Sequence, residues 1–136
     1  MLNIYYFHFN PFSVNTWIVW NDSREAFIVD PGYCTASERE SFTQLIDKQE
    51  LVPQAVIITH GHIDHILGVN DCCQRYGIPA YMSPDDGAVM DEHMKVAHKF
   101  KLDEGMKMFP YEPVTDGQIL HLAGADWKVS RCYCHR

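Results

Sequence analysis

Three features of the sequence predict a mixed α/β domain. Residues 2–9 (LNIYYFHF) and 14–20 (VNTWIVW) are rich in aromatic and β-branched side chains and are parted by Asn10, Pro11, Phe12 and Ser13, as in two strands joined by a turn. Residues 35–50 place Phe42, Leu45, Ile46 and Gln49 at helical spacing. Residues 55–59 (AVIIT) form a continuous apolar, β-branched run of the kind expected for a strand covered on both faces.

The elements follow in order. After the first strand pair, residues 26–29 make a short third strand that stops at Asp30-Pro31-Gly32, so a β-meander opens the chain. The helix over 35–50 has candidate caps at Thr35 and Ser37, with Glu38 and Glu40 placed to complement its amino-terminal dipole. Residues 65–76 fit a second helix closed by Gly77, and residues 80–82 a short strand. Residues 84–99 fit a third helix despite Gly87. From 101 to 113 the pattern dissolves under Gly105, Pro110 and Pro113, which predicts a loop or lid. Strands over 118–122 and 127–132 flank a turn at 123–126.

The 136 residues suit one domain, and 46% hydrophobic with 21% charged residues exclude wholesale disorder. Eleven basic residues against 18 acidic ones give a net charge of −7, with no basic run. Nucleic acid and anionic membranes are therefore excluded as expected partners of the bulk surface. The amino terminus lacks a basic leader, and no apolar run approaches the ~20 residues of a membrane span, so the expected location is cytoplasmic. Five cysteines, with Cys72 and Cys73 adjacent, read as reduced thiols. Cys132 and Cys134 form a C-x-C pair that would need further thiolates to hold a soft metal.

The chemistry is concentrated in Thr59-His60-Gly61-His62-Ile63-Asp64-His65, directly after the apolar strand. Imidazole and carboxylate are ligands suited to zinc and similar borderline metals. His60 and His62, two apart on a chain leaving a strand, can point to one side, while Asp64 and His65 can face a second position nearby. Gly61 allows the tight bend between them. The competing interpretation is a polar loop with Asp64 as N-cap of the next helix, but three imidazoles so close repel when protonated and cost desolvation when buried without a metal. His93 and His98, five apart beside Lys95 and Lys99, are expected on a solvated surface. His8 and His121 are expected as packed or surface imidazoles, and Tyr5, Tyr6, Phe7, Phe9, Phe12 and Trp17 as core or interface. No G-x-S-x-G, P-loop or G-x-G-x-x-G is present, so serine-nucleophile and nucleotide chemistry have no support.

The motif from Thr59 to His65, the strand before it and Asp30-Pro31-Gly32 together resemble the metallo-β-lactamase superfamily, nearest its glyoxalase II-like thioester hydrolases, over residues 3–129. The resemblance implies an αββα sandwich, here its first half to two-thirds, and a hydrolase using one or two metal ions, usually zinc. It assigns His60 and His62 to a first metal, Asp64 and His65 to a second, and Asp30 to support of the metal loop from behind. Asp64 would also orient the attacking hydroxide. His135 falls in register with the family's third histidine for the first metal, although Tyr133 and Cys134 stand where the family has Pro and Gly. The family's later aspartate and histidine have no counterpart. The expectation is therefore a single incomplete domain over 1–136, from a truncated chain. It would be a zinc-dependent hydroxyacylglutathione hydrolase-like enzyme taking a small-molecule substrate. The alternative is a non-catalytic remnant that binds metal weakly or self-associates. In either case an uncovered sheet predicts a homo-oligomer.

Overall fold

The computed structural model describes residues 1–99 and 109–130, the side chains of 96–99 excepted. The elements are β1 (Asn3–Phe9), β2 (Val14–Trp20), β3 (Glu25–Val29), α1 (Ala36–Lys48), β4 (Val52–Ile57), α2 (Ile63–Ile66), α3 (Val69–Tyr76), β5 (Ala80–Met82), α4 (Pro84–Lys99), β6 (Glu112–Pro113), β7 (Ile119–Leu122) and β8 (Ala125–Lys128). Strands β1 to β6 form one sheet in sequence order, and β7 and β8 form a separate hairpin. The first three strands pair antiparallel, whereas β3 through β6 run parallel. Parallel neighbours need crossovers, which α1 supplies between β3 and β4, and α2 with α3 between β4 and β5.

Strand alternation divides the core between the two faces of the sheet. Ile18, Ile28 and Val56 face the helices and pack with Phe42, Ile46, Val69, Cys72 and Met90. Their neighbours Val19, Phe27 and Ala55 face the opposite way and pack with Leu122 and Ala123 of the hairpin. Trp127 lies edge-on to Phe27, ring centroids 4.9 Å apart. Gln54 ties the hairpin on, its amide oxygen accepting the Ala123 N–H at 2.8 Å. Among the described residues no helix is long and apolar enough to cross a membrane.

The structure departs from the sequence expectations in several places. Strand β4 begins at Val52, three residues before the apolar run, because the β3–β4 register shifts between Ala26 and Phe27 and accommodates Pro53, which has no N–H to donate. The helix expected over 65–76 is two helices. It breaks at Gly68, whose N–H donates to the Pro31 carbonyl at 2.8 Å. A Cβ there would sit 2.8 Å from the Tyr33 ring. The segment expected as a loop ends in β6, and Pro113 is tolerated because β6 is an edge strand. The turn at 123–126 is tighter than expected: β7 and β8 are joined by Ala123 and Gly124 alone, at φ 52° and 71°. The strand over 127–132 ends at Lys128. Cys132 and Cys134 lie outside the described residues, while Cys34, Cys72 and Cys73 are free thiols.

Helix α1 starts as its sequence suggests, with a reciprocal capping box between Thr35 and Glu38. Glu38 does more than cap. Its carboxylate also accepts the N–H of Asn10 at 2.6 Å and of Cys34 at 2.9 Å, joining the β1–β2 turn to the helix. Burial opposes ionisation of Glu38, but the backbone donors outweigh it and hold its pKa below the ordinary 4.5. The unfolded chain therefore takes up this proton first. The stability Glu38 contributes is full above about pH 4.5 and is lost as pH falls through the lower folded value. Glu38→Ala should cost about 1–2 kcal/mol at neutral pH. Urea midpoints measured against pH should show the gap between the two proteins closing below that range.

Candidate metal centre

The site is built where two neighbouring parallel strands end. Asp30 follows β3 and Thr59 follows β4, and the Asp30 N–H donates to the Ile57 carbonyl at 2.9 Å. Asp30 is buried, 4% exposed, and adopts a left-handed φ of 50° that aspartate tolerates. Its Oδ1 accepts the Thr59 N–H at 2.7 Å. Its Oδ2 contacts both the Thr59 hydroxyl and, at 2.9 Å, His65 Nδ1. The carboxylate thus ties the residue after β3 to both the start of the loop at Thr59 and its end at His65.

The proton positions follow from counting. The close Thr59–Asp30 contact takes the single hydroxyl proton, so Thr59 Oγ1 can only accept from His60 Nδ1, 2.8 Å away. His65 Nδ1 likewise donates to Asp30. In the neutral form of each ring this leaves the lone pair on Nε2, the atom suited to a metal. His65 Nε2 lies 3.6 Å from Asp64 Oδ2, a separation that one ion could bridge. Ring centroids of His60 and His65 are 5.0 Å apart, His60 and His62 5.6 Å, and His62 and His65 6.2 Å.

The structure brings His60, His62, Asp64 and His65 together beside Asp30, whereas His135 lies outside the described residues. Asp64 is not an N-cap: His62 occupies that position of α2 without a side-chain bond, and Asp64 lies in the first turn. Asp30, His60 and His65 each offer a ligand atom within 4.8 Å of the others. Asp30 already accepts from Thr59 and His65, so much of its hydrogen-bonding capacity is engaged within the protein. This nitrogen and oxygen donor set fits zinc or a similar borderline ion, and among the described residues no thiolate joins it.

Two neighbours of the loop carry no signal in the sequence. Asn10, at the left-handed φ of 58°, donates from Nδ2 to the carbonyls of Gly32 (3.0 Å) and Asp64 (2.8 Å). His93, expected on a solvated surface, is instead half-buried, with its ring stacked on His62 at 4.9 Å and 8°. Burial, then the proximity of His62, lowers its pKa. The side chain of His98 lies outside the described residues. His121 is exposed and paired with Asp126. His8, Tyr5, Tyr6 and Phe12 are also exposed, while Phe9 is buried. An apolar hollow of about 710 Å³ opens against His60 between the sheet and the β7–β8 hairpin, lined by Phe27, Ile57, Tyr81, Leu120 and Trp127.

A mixed sheet with helices on one face and an imidazole–carboxylate cluster at the carboxyl ends of its parallel strands defines a class of α/β metalloprotein. The chain belongs to the metallo-beta-lactamase superfamily, whose family model matches residues 9–132. It is 27% identical over 130 residues to hydroxyacylglutathione hydrolase GloC of Haemophilus influenzae, covering 94% of this chain and 59% of that protein. Among solved structures, TTHA1623 in a di-iron-bound form superposes with a TM-score of 0.70 at 24% identity, over 86% of this chain and 60% of that one. The BLEG-1 B3 metallo-beta-lactamase superposes with a TM-score of 0.66 at 21% identity, over 93% and 59%. The structural matches show the shared fold, and the chain spans about three fifths of the length of these proteins.

Burial opposes protonation of His65, but the hydrogen bond and charge of Asp30, with the charge of Asp64, outweigh it and raise the pKa above 6.5. The stability this supplies to metal-free protein is full below about pH 6.5 and is lost as pH rises through the folded value. Asp30→Asn should lower the His65 titration midpoint followed by NMR. It should also abolish the part of the stability gained on acidification through that window.

Proposed function

We propose that the loop from Thr59 to His65 is the water-activating metal site of a thioester hydrolase, with zinc held by His60 and His62, with His135, and by Asp64 and His65. The observation that carries this reading is the convergence of four ligand-type side chains on a loop whose two Nδ1–H imidazoles are fixed by Thr59 and Asp30. When bound, zinc acidifies water and polarises a carbonyl. Asp64 accepts a hydrogen bond from the attacking water and orients it. Asp30 and Thr59 hold His60 and His65 in one tautomer, so that no reorganisation is needed as charge develops. The thioester preference rests on the likeness to a hydroxyacylglutathione hydrolase.

The test is zinc content together with hydrolysis of a hydroxyacylglutathione thioester on the same preparation. Zinc is expected to be substoichiometric and removable by chelator, and turnover should return with added zinc. Asp64→Asn should lower kcat by about 10²-fold or more. Zinc-loaded protein without turnover would defeat the thioester reading.

A second reading, a non-catalytic self-associating chain, is favoured by the apolar hollow and by edge strand β1, which exposes Ile4, Tyr5 and Tyr6. Edge pairing between two copies would satisfy both sets of unpaired backbone groups. Sedimentation at ~10 μM should then show a dimer or larger species, and a monodisperse, cooperatively unfolding monomer would refute it.

A further inference from the structure

The metal loop is backed by α4. The Gly61 N–H faces Asp86 Oδ1 at 3.4 Å, and a Cβ on Gly61 would lie 2.0 Å from the Asp86 carbonyl oxygen, so the loop runs directly against the helix. Two residues on, the Ile63 N–H donates to His93 Nδ1 at 3.1 Å. Asp86, Met90 and His93 recur at i, i+4 and i+7, one stripe of the helix, with Met90 fully buried between the two polar contacts. A backbone N–H can only donate, so His93 Nδ1 is the acceptor and its ring proton sits on Nε2. The same ring lies parallel to His62, 4.9 Å away.

We propose that His93 is a positioning residue for the metal loop: through Nδ1 it holds the Ile63 amide, and through its ring face it sets the plane of the His62 imidazole. This rests on the metal-site reading. Ile63 lies between His62 and Asp64, so a single acceptor fixes the peptide that joins a ligand of one position to a ligand of the other. Without it, the Ile63 N–H loses its partner and His62 loses the surface that restricts its rotation. Outer partners of this kind set metal affinity without touching the ion.

The atom that matters can be told by substitution. Asn places Oδ1 where His has Nδ1, whereas Gln places its acceptor near the position of Nε2. His93→Ala should weaken zinc binding about 10–100-fold, measured by competition with a chromophoric chelator. His93→Asn should restore the part of that affinity carried by the Ile63 hydrogen bond, though not the part carried by the ring stacked on His62, and His93→Gln should restore neither. In metal-free protein, amide exchange at Ile63 should be slow in wild type and His93→Asn and fast in His93→Ala, with thermal unfolding confirming that each variant folds. Unchanged zinc affinity and unchanged Ile63 exchange in His93→Ala would overturn the proposal. So would rescue by Gln and not Asn, which would make Nε2 the working atom. A wild-type chain that holds no zinc would defeat the metal reading, while the Ile63 exchange would still decide whether His93 holds the loop.

Discussion

The buried Asp30 carboxylate is the constraint on which the rest of the molecule depends. Placing a carboxylate at 4% exposure is costly unless its lone pairs are met. Here they are met by the Thr59 N–H, the Thr59 hydroxyl and His65 Nδ1. The residue's own backbone is used as well: its N–H joins β4 through Ile57, and its carbonyl accepts the Thr16 hydroxyl of β2 at 2.7 Å. One residue therefore links three strands and the helix that carries Asp64 and His65. Losing it would leave several buried donors unpartnered at once, which is more damaging than losing a single contact on the surface.

A loop held only from behind would still be free to tilt, and the remaining supports come from opposite sides. Asn10 reaches the Asp64 carbonyl from the β1–β2 turn, and that turn is itself fastened to α1 by Glu38. Asp86 and His93 face the loop from α4. The apolar core fixes the distances between these supports, since Phe42 of α1, Ile66 of α2 and Met90 of α4 are all buried in the cluster over the same sheet face. Packing thus sets the frame to within small tolerances, and hydrogen bonds set the orientation of each imidazole inside it.

The sequence made the local features legible and the long-range ones not. The helix start at Thr35, one of the two caps the sequence offered, the closure at Gly77 and the strand pair around Asn10 are decided within a few residues, and all stand where the spacing puts them. The ligand-type cluster was legible for the same reason, since His60 to His65 needs only one loop to converge. His93 was not: its nearest chemical neighbour in sequence, His98, suggested a solvated surface, and only the α2–α4 packing brings it onto His62. The split at Gly68 and the early start of β4 at Val52 have the same origin. Pro31 and Tyr33 press on the first and the partner strand β3 sets the second, so in each case a distant segment overrides local propensity.

Proton direction is the feature that makes this frame chemically specific. A hydroxyl has one proton, and Thr59 directs it toward Asp30, which leaves Thr59 Oγ1 as an acceptor facing His60. His60 is therefore held as the Nδ1–H tautomer through an intermediary, and His65 is held as the same tautomer by direct contact. His93 is the opposite case: a backbone donor at its Nδ1 forces the proton to Nε2. Three imidazoles from two helices and a loop thus have their protons assigned by a carboxylate, a hydroxyl and a peptide N–H, none of which needs to touch an ion. Rings ordered in this way would leave less of an ion's binding free energy to be spent on orientation.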